Sequence, residues 1–138
     1  MLFKQFSFAF IISTFLASCA NTPTAVNCKR YRTGKFRFSA NFDGKVVNYL
    51  IDRNNSTQTE QCAEMNSDGT YKISWKDDCT YLLAYMSGKD SLPPEQEKLK
   101  RKMVIETTIL GGTEDYYIFE STNNMYDKVM KDTMWVIK

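Results

Sequence analysis

The stretch from Val46 to Glu60, VVNYLIDRNNSTQTE, holds one candidate strand, a turn and the start of a second strand. Val46 to Arg53 is rich in the β-branched and aromatic residues that strands favour. Asn54-Asn55-Ser56 is a turn sequence, and residues 57–64 are a polar strand candidate. A connection this short makes the two strands antiparallel neighbours. The stretch therefore predicts a β-hairpin.

Similar units continue on both sides of this hairpin. Upstream, residues 35–38 alternate charged and aromatic side chains, and Asp43-Gly44 is a hairpin turn dipeptide. Downstream, Asp68-Gly69 predicts another hairpin turn before an alternating segment that contains Tyr71, Ile73 and Trp75. Tyr81 to Met86 is an apolar run. Five strands at about ten-residue spacing predict an antiparallel meander.

The second half of the chain adds a break and more strands. Pro93-Pro94 is followed by good helix formers with acids first and bases last, which predicts a short helical turn near residues 94–101. Residues 103–110, 116–120 and 134–137 predict strands, with Gly111-Gly112 as a turn. About eight antiparallel strands favour an all-β up-and-down barrel, with a two-sheet β-sandwich as the alternative.

The N-terminal segment has the composition of a lipoprotein signal. Lys4 precedes an apolar run from Phe6 to Leu16, and Leu16-Ala17-Ser18-Cys19 resembles the lipobox at which bacterial lipoprotein precursors are cut and lipidated on the cysteine. We expect a signal peptide at 1–18, the lipidated Cys19 with a tether at 19–27, and a single β domain at 28–138. A secretory signal cut elsewhere is the alternative. More than one acyl chain on Cys19 would anchor the domain stably to a membrane.

Three segments resemble small lipoproteins of Bacteroidota: NCKRYRTGKF at 27–36, RNNSTQTE at 53–60 and ISWKDDCTY at 73–81. The resemblance covers most of the mature chain and implies no known activity. Some members carry the label "DNA topoisomerase IV", which does not fit, because about 120 exported residues cannot supply an ATPase or DNA-gating domains. Gly34-Lys35-Phe36 also resembles the Gly-x-Trp opening of lipocalins, with Phe in place of Trp, and implies a lipocalin-like barrel.

The residues after the lipobox indicate which membrane of the cell envelope would hold the protein. Ala20-Asn21-Thr22-Pro23 lacks the acidic run that resembles a surface-export signal in Bacteroidota lipoproteins, and it lacks an Asp directly after the cysteine, which retains other lipoproteins at the inner membrane. We therefore expect the periplasmic face of an outer membrane.

Composition excludes several chemistries. With no histidine, Ser-His-Asp and Cys-His mechanisms are impossible, and zinc and copper lose their commonest ligand. A net charge of +2 gives no strong bias toward nucleic acid. The carboxylate pairs Asp77-Asp78 and Glu114-Asp115 are typical of solvated turns rather than of a catalytic dyad. We predict no enzymatic activity, no metal and no cofactor.

Three cysteines remain in the mature domain. An exported protein is expected to oxidise one pair. In a meander, strands one and five start at the same end, which brings Cys28, ahead of strand one, close to Cys79 at the start of strand five. Cys62 lies near the far end of strand three. We predict a Cys28–Cys79 disulfide and a free thiol at Cys62, more typical of core packing than of reactivity.

Strand parity gives the candidate binding site. Tyr49, Ile51 and Arg53 share one face of the second strand, and Gln58, Glu60 and Cys62 share one face of the third. If the apolar members point inward, Arg53, Gln58 and Glu60 meet inside the barrel. They would orient a polar ligand group in a cavity with aromatic walls. The predicted ligand-binding residues are Tyr49, Arg53, Gln58, Glu60, Trp75 and Tyr81, with Tyr71 and Tyr85 as further aromatic walls. The alternative is a self-satisfied Arg53–Glu60 pair at a barrel mouth.

These observations predict a binding module for a small ligand or an envelope component, with the membrane as its other partner through the anchor. A structural or interaction lipoprotein with a filled core is the alternative, and a carboxylate-based hydrolase is a third. An internal cavity of several hundred cubic ångströms would favour the first, and a filled core the second.

Overall fold

A computed structural model describes residues 26–89 and 92–138. Eight antiparallel strands each pair with the next along the chain, and β8 pairs with β1 to close a barrel. The closed barrel confirms the predicted all-β barrel over the sandwich, and a helix confirms the predicted helical turn. The elements are β1 (Gly34–Phe42), β2 (Lys45–Arg53), β3 (Thr57–Cys62), β4 (Ser67–Trp75), β5 (Thr80–Ser87), α1 (Pro94–Lys102), β6 (Val104–Gly112), β7 (Tyr116–Asn123) and β8 (Met130–Ile137), with 3-10 turns at Cys28–Tyr31 and Ala63–Met65.

Side chains alternate between the interior and the outer surface along the strands, because successive residues of a strand point to opposite faces. On β2, Val47, Ile51 and Arg53 are buried, whereas Val46 and Leu50 are more than half exposed. On β3, Gln58 and Cys62 are buried, so the predicted inward faces of β2 and β3 are the observed ones. The interior is rich in aromatic residues, namely Tyr31, Phe36, Tyr71, Tyr81, Tyr117 and Phe119.

The first 3-10 turn closes the end of the barrel at which β1 begins, which we call the lower end. The buried Tyr31 donates a hydrogen bond from its hydroxyl to the carbonyl oxygen of Thr113 at 2.6 Å, in the β6–β7 connection. Cys28 is joined to Cys79, in the β4–β5 connection, by a disulfide with a Cα–Cα distance of 5.1 Å. The predicted pairing is confirmed, and Cys62 is a buried free cysteine as predicted.

Two predicted turns are wrong. Asp68-Gly69 lies inside β4, and the chain turns before it at residues 63–66, where Asn66 takes a positive φ of 46°. A Cβ atom at Gly69 would lie 2.9 Å from Cε2 of Tyr71, so this glycine makes room for a ring. Gly111-Gly112 lies inside β6 next to a register shift, and a Cβ atom at Gly112 would collide with the carbonyl oxygen of Tyr116. Both glycines permit close approach rather than a turn.

The predicted signal peptide at 1–18, the lipidation of Cys19 and most of the tether lie outside the residues that the structure describes. Among residues 26–89 and 92–138, no helix has the length and apolar character needed to cross a membrane.

Candidate ligand-binding site

The barrel holds a cavity of about 810 Å³ that extends to the end opposite the disulfide, which we call the mouth. This volume lies within the range of roughly 300–1,000 Å³ that small-molecule sites occupy. Most of the wall is apolar or aromatic, with side chains from β1, β2, β5, β6, β7 and β8. These include Phe38, Ile51, Leu83, Ile105, Phe119 and Met134.

Arg53 lies between the cavity and the lower end and is 2% exposed. Its Nε donates to Oε1 of Gln58 at 2.7 Å, and its Nη1 donates to the carbonyl oxygen of Tyr31 at 2.9 Å. Its Nη2 donates to the hydroxyl oxygens of Tyr81 at 2.9 Å and Tyr117 at 3.0 Å. Arg53 is not among the residues that line the cavity. Its hydrogen bonds therefore stabilise the floor of the cavity, which is the layer of side chains between the cavity and the lower end.

Gln58 connects Arg53 to the cavity. The side chain of Gln58 is 2% exposed, and its Nε2 donates to Oε1 of Glu60 at 2.7 Å. Glu60 lines the cavity. Burial raises the pKa of the Glu60 carboxyl group, and the bond from Gln58 and the charges of Arg53 and Lys100 lower that pKa only in part. The predicted Arg53–Glu60 pair is thus bridged by Gln58, inside the barrel rather than at its mouth.

Tyrosine side chains line the same cavity as this carboxyl group. Glu60 pairs across the sheet with Gly69, and the ring of Tyr71 lies against Gly69, so the ring is next to Glu60. Tyr49 lines the same cavity from β2 and stacks on Phe38, with ring centroids 4.8 Å apart. Tyr81 lines it from β5. The absence of a side chain at Gly69 therefore leaves the space that the Tyr71 ring occupies.

Further polar groups line the cavity on β6 and β7 and at the mouth. Thr107 and Ser121, paired across β6 and β7, share a hydrogen bond of 2.7 Å between their hydroxyl oxygens. At the mouth, Lys100 of α1 and Lys128 of the β7–β8 connection line the cavity. Nζ of Lys100 lies 4.4 Å from the ring centroid of Tyr85. The helix thus contributes a cation to the mouth.

The structure brings together four of the six predicted ligand-binding residues, Tyr49, Gln58, Glu60 and Tyr81, as cavity lining. Arg53 lies in the floor. Trp75 lies at the lower end and does not line the cavity. Its ring packs on Tyr81 with centroids 4.8 Å apart and lies under the Arg32 guanidinium. The periodicity of β4 predicts which way Trp75 points but not its depth, because it is the last residue of the strand.

Other lining residues fall outside that prediction. Alternation along the strands carries the signal for these residues. Thr107 shares the inward face of β6 with Ile105, and Phe119 and Ser121 share the inward face of β7 with Tyr117. Lys100 has no such signal, since nothing in the pattern of α1 says where the helix packs.

The two carboxylate pairs lie in turns, as predicted. Asp77 accepts hydrogen bonds from the backbone N–H groups of Cys79 and Thr80 at 2.8 and 2.7 Å, and these bonds lower the pKa of its carboxyl group. Asp78 forms an exposed ion pair with Arg32 at 3.1 Å. Asp77 and Asp78 therefore stabilise the β4–β5 turn next to the disulfide.

Comparison with known proteins gives no assignment. No family model, no curated protein and no solved structure matches this chain. The cavity is then the observation from which a function can be inferred.

Proposed function

We propose that this protein is a binding protein that holds one small, largely apolar ligand inside its barrel. The cavity of about 810 Å³ carries this proposal, because a folded domain that needs only a stable core fills it to crystal-like density. The wall combines apolar side chains with a few polar groups, as small-molecule sites do. A structural role would favour a filled interior, and a two-carboxylate hydrolase would need a second acid beside Glu60. Asp68, the other acid that lines the cavity, instead accepts a bond from the backbone of Lys89 at the rim.

We also propose that the domain is exported and anchored through lipidated Cys19, facing the periplasm from the outer membrane. The Cys28–Cys79 disulfide supports export, because disulfides persist in oxidising compartments and are rare in the cytosol. The segment that resembles a lipobox lies shortly before the first described residue, Val26.

The cavity predicts binding of an uncharged apolar probe. N-phenyl-1-naphthylamine, whose fluorescence rises in apolar surroundings, is expected to bind the purified protein at one site. Ala40 lines the cavity near its mouth, so Ala40→Trp should place a large ring in the space and weaken binding about tenfold or more. Fluorescence titration measures both affinities.

Ser39→Trp is the matched control, because Ser39 precedes Ala40 on the same strand and is exposed on the outer surface. It should leave probe affinity within about twofold of the original protein. Equal losses in both variants, or probe fluorescence that does not saturate, would contradict binding inside the barrel.

The anchor is tested by metabolic labelling with an alkyne analogue of palmitate in a Gram-negative host. The original chain should incorporate the label and sediment with outer membranes. Cys19→Ala should lose the label and leave the membrane fraction, whereas Cys62→Ala, which changes the buried free cysteine, should keep both properties. Unlabelled original chain in an envelope that labels other lipoproteins would refute lipidation.

A further inference from the structure

We propose that the ligand carries a cationic nitrogen, an ammonium or quaternary ammonium group, which binds against Glu60 while its apolar part lies along the wall formed by β5–β8. This inference rests on the proposed function and names the chemical class of the ligand.

The carboxyl group of Glu60 is the first observation. Within residues 26–89 and 92–138, its hydrogen bond is the one from the neutral amide of Gln58, and it takes part in none of the ion pairs. The nearest buried cation, Arg53, directs its three nitrogens to Gln58, to the Tyr31 carbonyl oxygen and to two tyrosine hydroxyls. Burial raises the pKa of the Glu60 carboxyl group, and the charges of Arg53 and Lys100 offset only part of that cost. A cation in the cavity would relieve that cost.

The aromatic residues around Glu60 are the second observation. The ring of Tyr71 lies against Gly69, directly across the sheet from Glu60, and Tyr49 and Tyr81 line the same cavity. Aromatic rings attract cations through their quadrupoles, most strongly where water is excluded. A carboxyl group beside the Tyr71 ring, in a cavity that Tyr49 and Tyr81 also line, combines the two interactions that proteins use to bind ammonium groups.

The lysines at the mouth would favour a different ligand. This would be an anion whose charged group stays at the mouth while its apolar part enters the cavity. Lys100 and Lys128 line the cavity at its mouth, where Nζ of Lys100 lies 4.4 Å from the ring centroid of Tyr85, and the charge of Lys100 offsets only part of the burial cost at Glu60. Apolar atoms of such an anion would lie against the Glu60 carboxyl group and add no hydrogen bond or charge to it beyond the bond from Gln58. The cationic ligand satisfies Glu60, so we favour it.

The test uses three probes of equal chain length, octylammonium, octan-1-ol and octanoate, which displace N-phenyl-1-naphthylamine from the purified protein at pH 7.5. Because charge-assisted hydrogen bonds are about twice as strong as neutral ones, octylammonium should bind about tenfold more tightly than octanol, with octanoate weakest. Glu60→Gln should remove the advantage of octylammonium over octanol. The Gln side chain keeps an oxygen to accept the bond from Gln58, so the fold should persist, as circular dichroism would check.

Glu120→Gln is the matched control, because Glu120 is an exposed carboxylate on β7. It should keep the full preference for octylammonium. If octanoate binds best, or if Glu60→Gln keeps the preference, the cationic ligand is wrong although the cavity still binds the naphthylamine. If the naphthylamine fails to bind the original protein, the proposed function itself is wrong.

Discussion

Arg53→Met is expected to lower the free energy of unfolding by about 4 kcal/mol. The guanidinium group is 2% exposed and donates to Gln58, to the Tyr31 carbonyl oxygen and to the hydroxyls of Tyr81 and Tyr117. Methionine fills much of the volume but donates nothing. Each abandoned buried acceptor costs roughly 1–3 kcal/mol, partly recovered where the tyrosine hydroxyls bond to one another.

Urea unfolding followed by tryptophan fluorescence measures this loss. Arg37→Met is the matched control, since Arg37 is an exposed arginine on β1 and its replacement should change stability by less than about 0.5 kcal/mol. A loss at Arg53 no larger than the loss at Arg37 would show that the buried network does not support the fold.

Removal of the disulfide with the double variant Cys28→Ala/Cys79→Ala is expected to cost about 4 kcal/mol in the chain-entropy model. The two cysteines are 51 positions apart, so the bond restricts a long loop in the unfolded chain. It also holds the turn that closes the lower end, and that turn supplies the Tyr31 carbonyl oxygen to Arg53. Thermal unfolding measured with and without a reductant gives the size of the effect.

Reductant should destabilise the original protein by about the same amount and leave the double variant unchanged. Cys62→Ala should remain sensitive to reductant, because Cys62 is not in the bond. A reductant effect that disappears in Cys62→Ala would show a different pairing from Cys28–Cys79.

Much of the barrel interior could be predicted from the sequence because two local rules apply to it. The Asn54-Asn55-Ser56 turn is short, so it fixes the register of β2 against β3, with Arg53 opposite Gln58 and Ile51 opposite Glu60. Strand alternation then places Tyr49, Gln58 and Glu60 inside. The disulfide was predictable for the same reason, since a meander brings odd-numbered strands to the same starting end.

Two features could not be predicted from strand alternation: how far along the barrel axis a side chain lies, and which distant elements pack together. Trp75 and Tyr71 have the same parity on β4, but one lies at the lower end and the other beside Glu60. Gly69 has the sequence context of a turn residue, and its actual role depends on a ring two positions away that only the folded sheet brings close. Lys100 reaches the mouth because α1 packs there, and no periodicity encodes that contact.

The closed lower end has a consequence for how the molecule would exchange its ligand. The chain enters the barrel at the end blocked by the Cys28–Tyr31 turn, and the opening is at the opposite end. If Cys19 carries lipid, Val26 lies seven positions after it, a reach of at most about 25 Å. The blocked end would then be the end held within this distance of the anchor. Among the described residues, Lys100 of α1 lines the cavity at its mouth, so a ligand would enter and leave beside this helix, at the end away from the anchor.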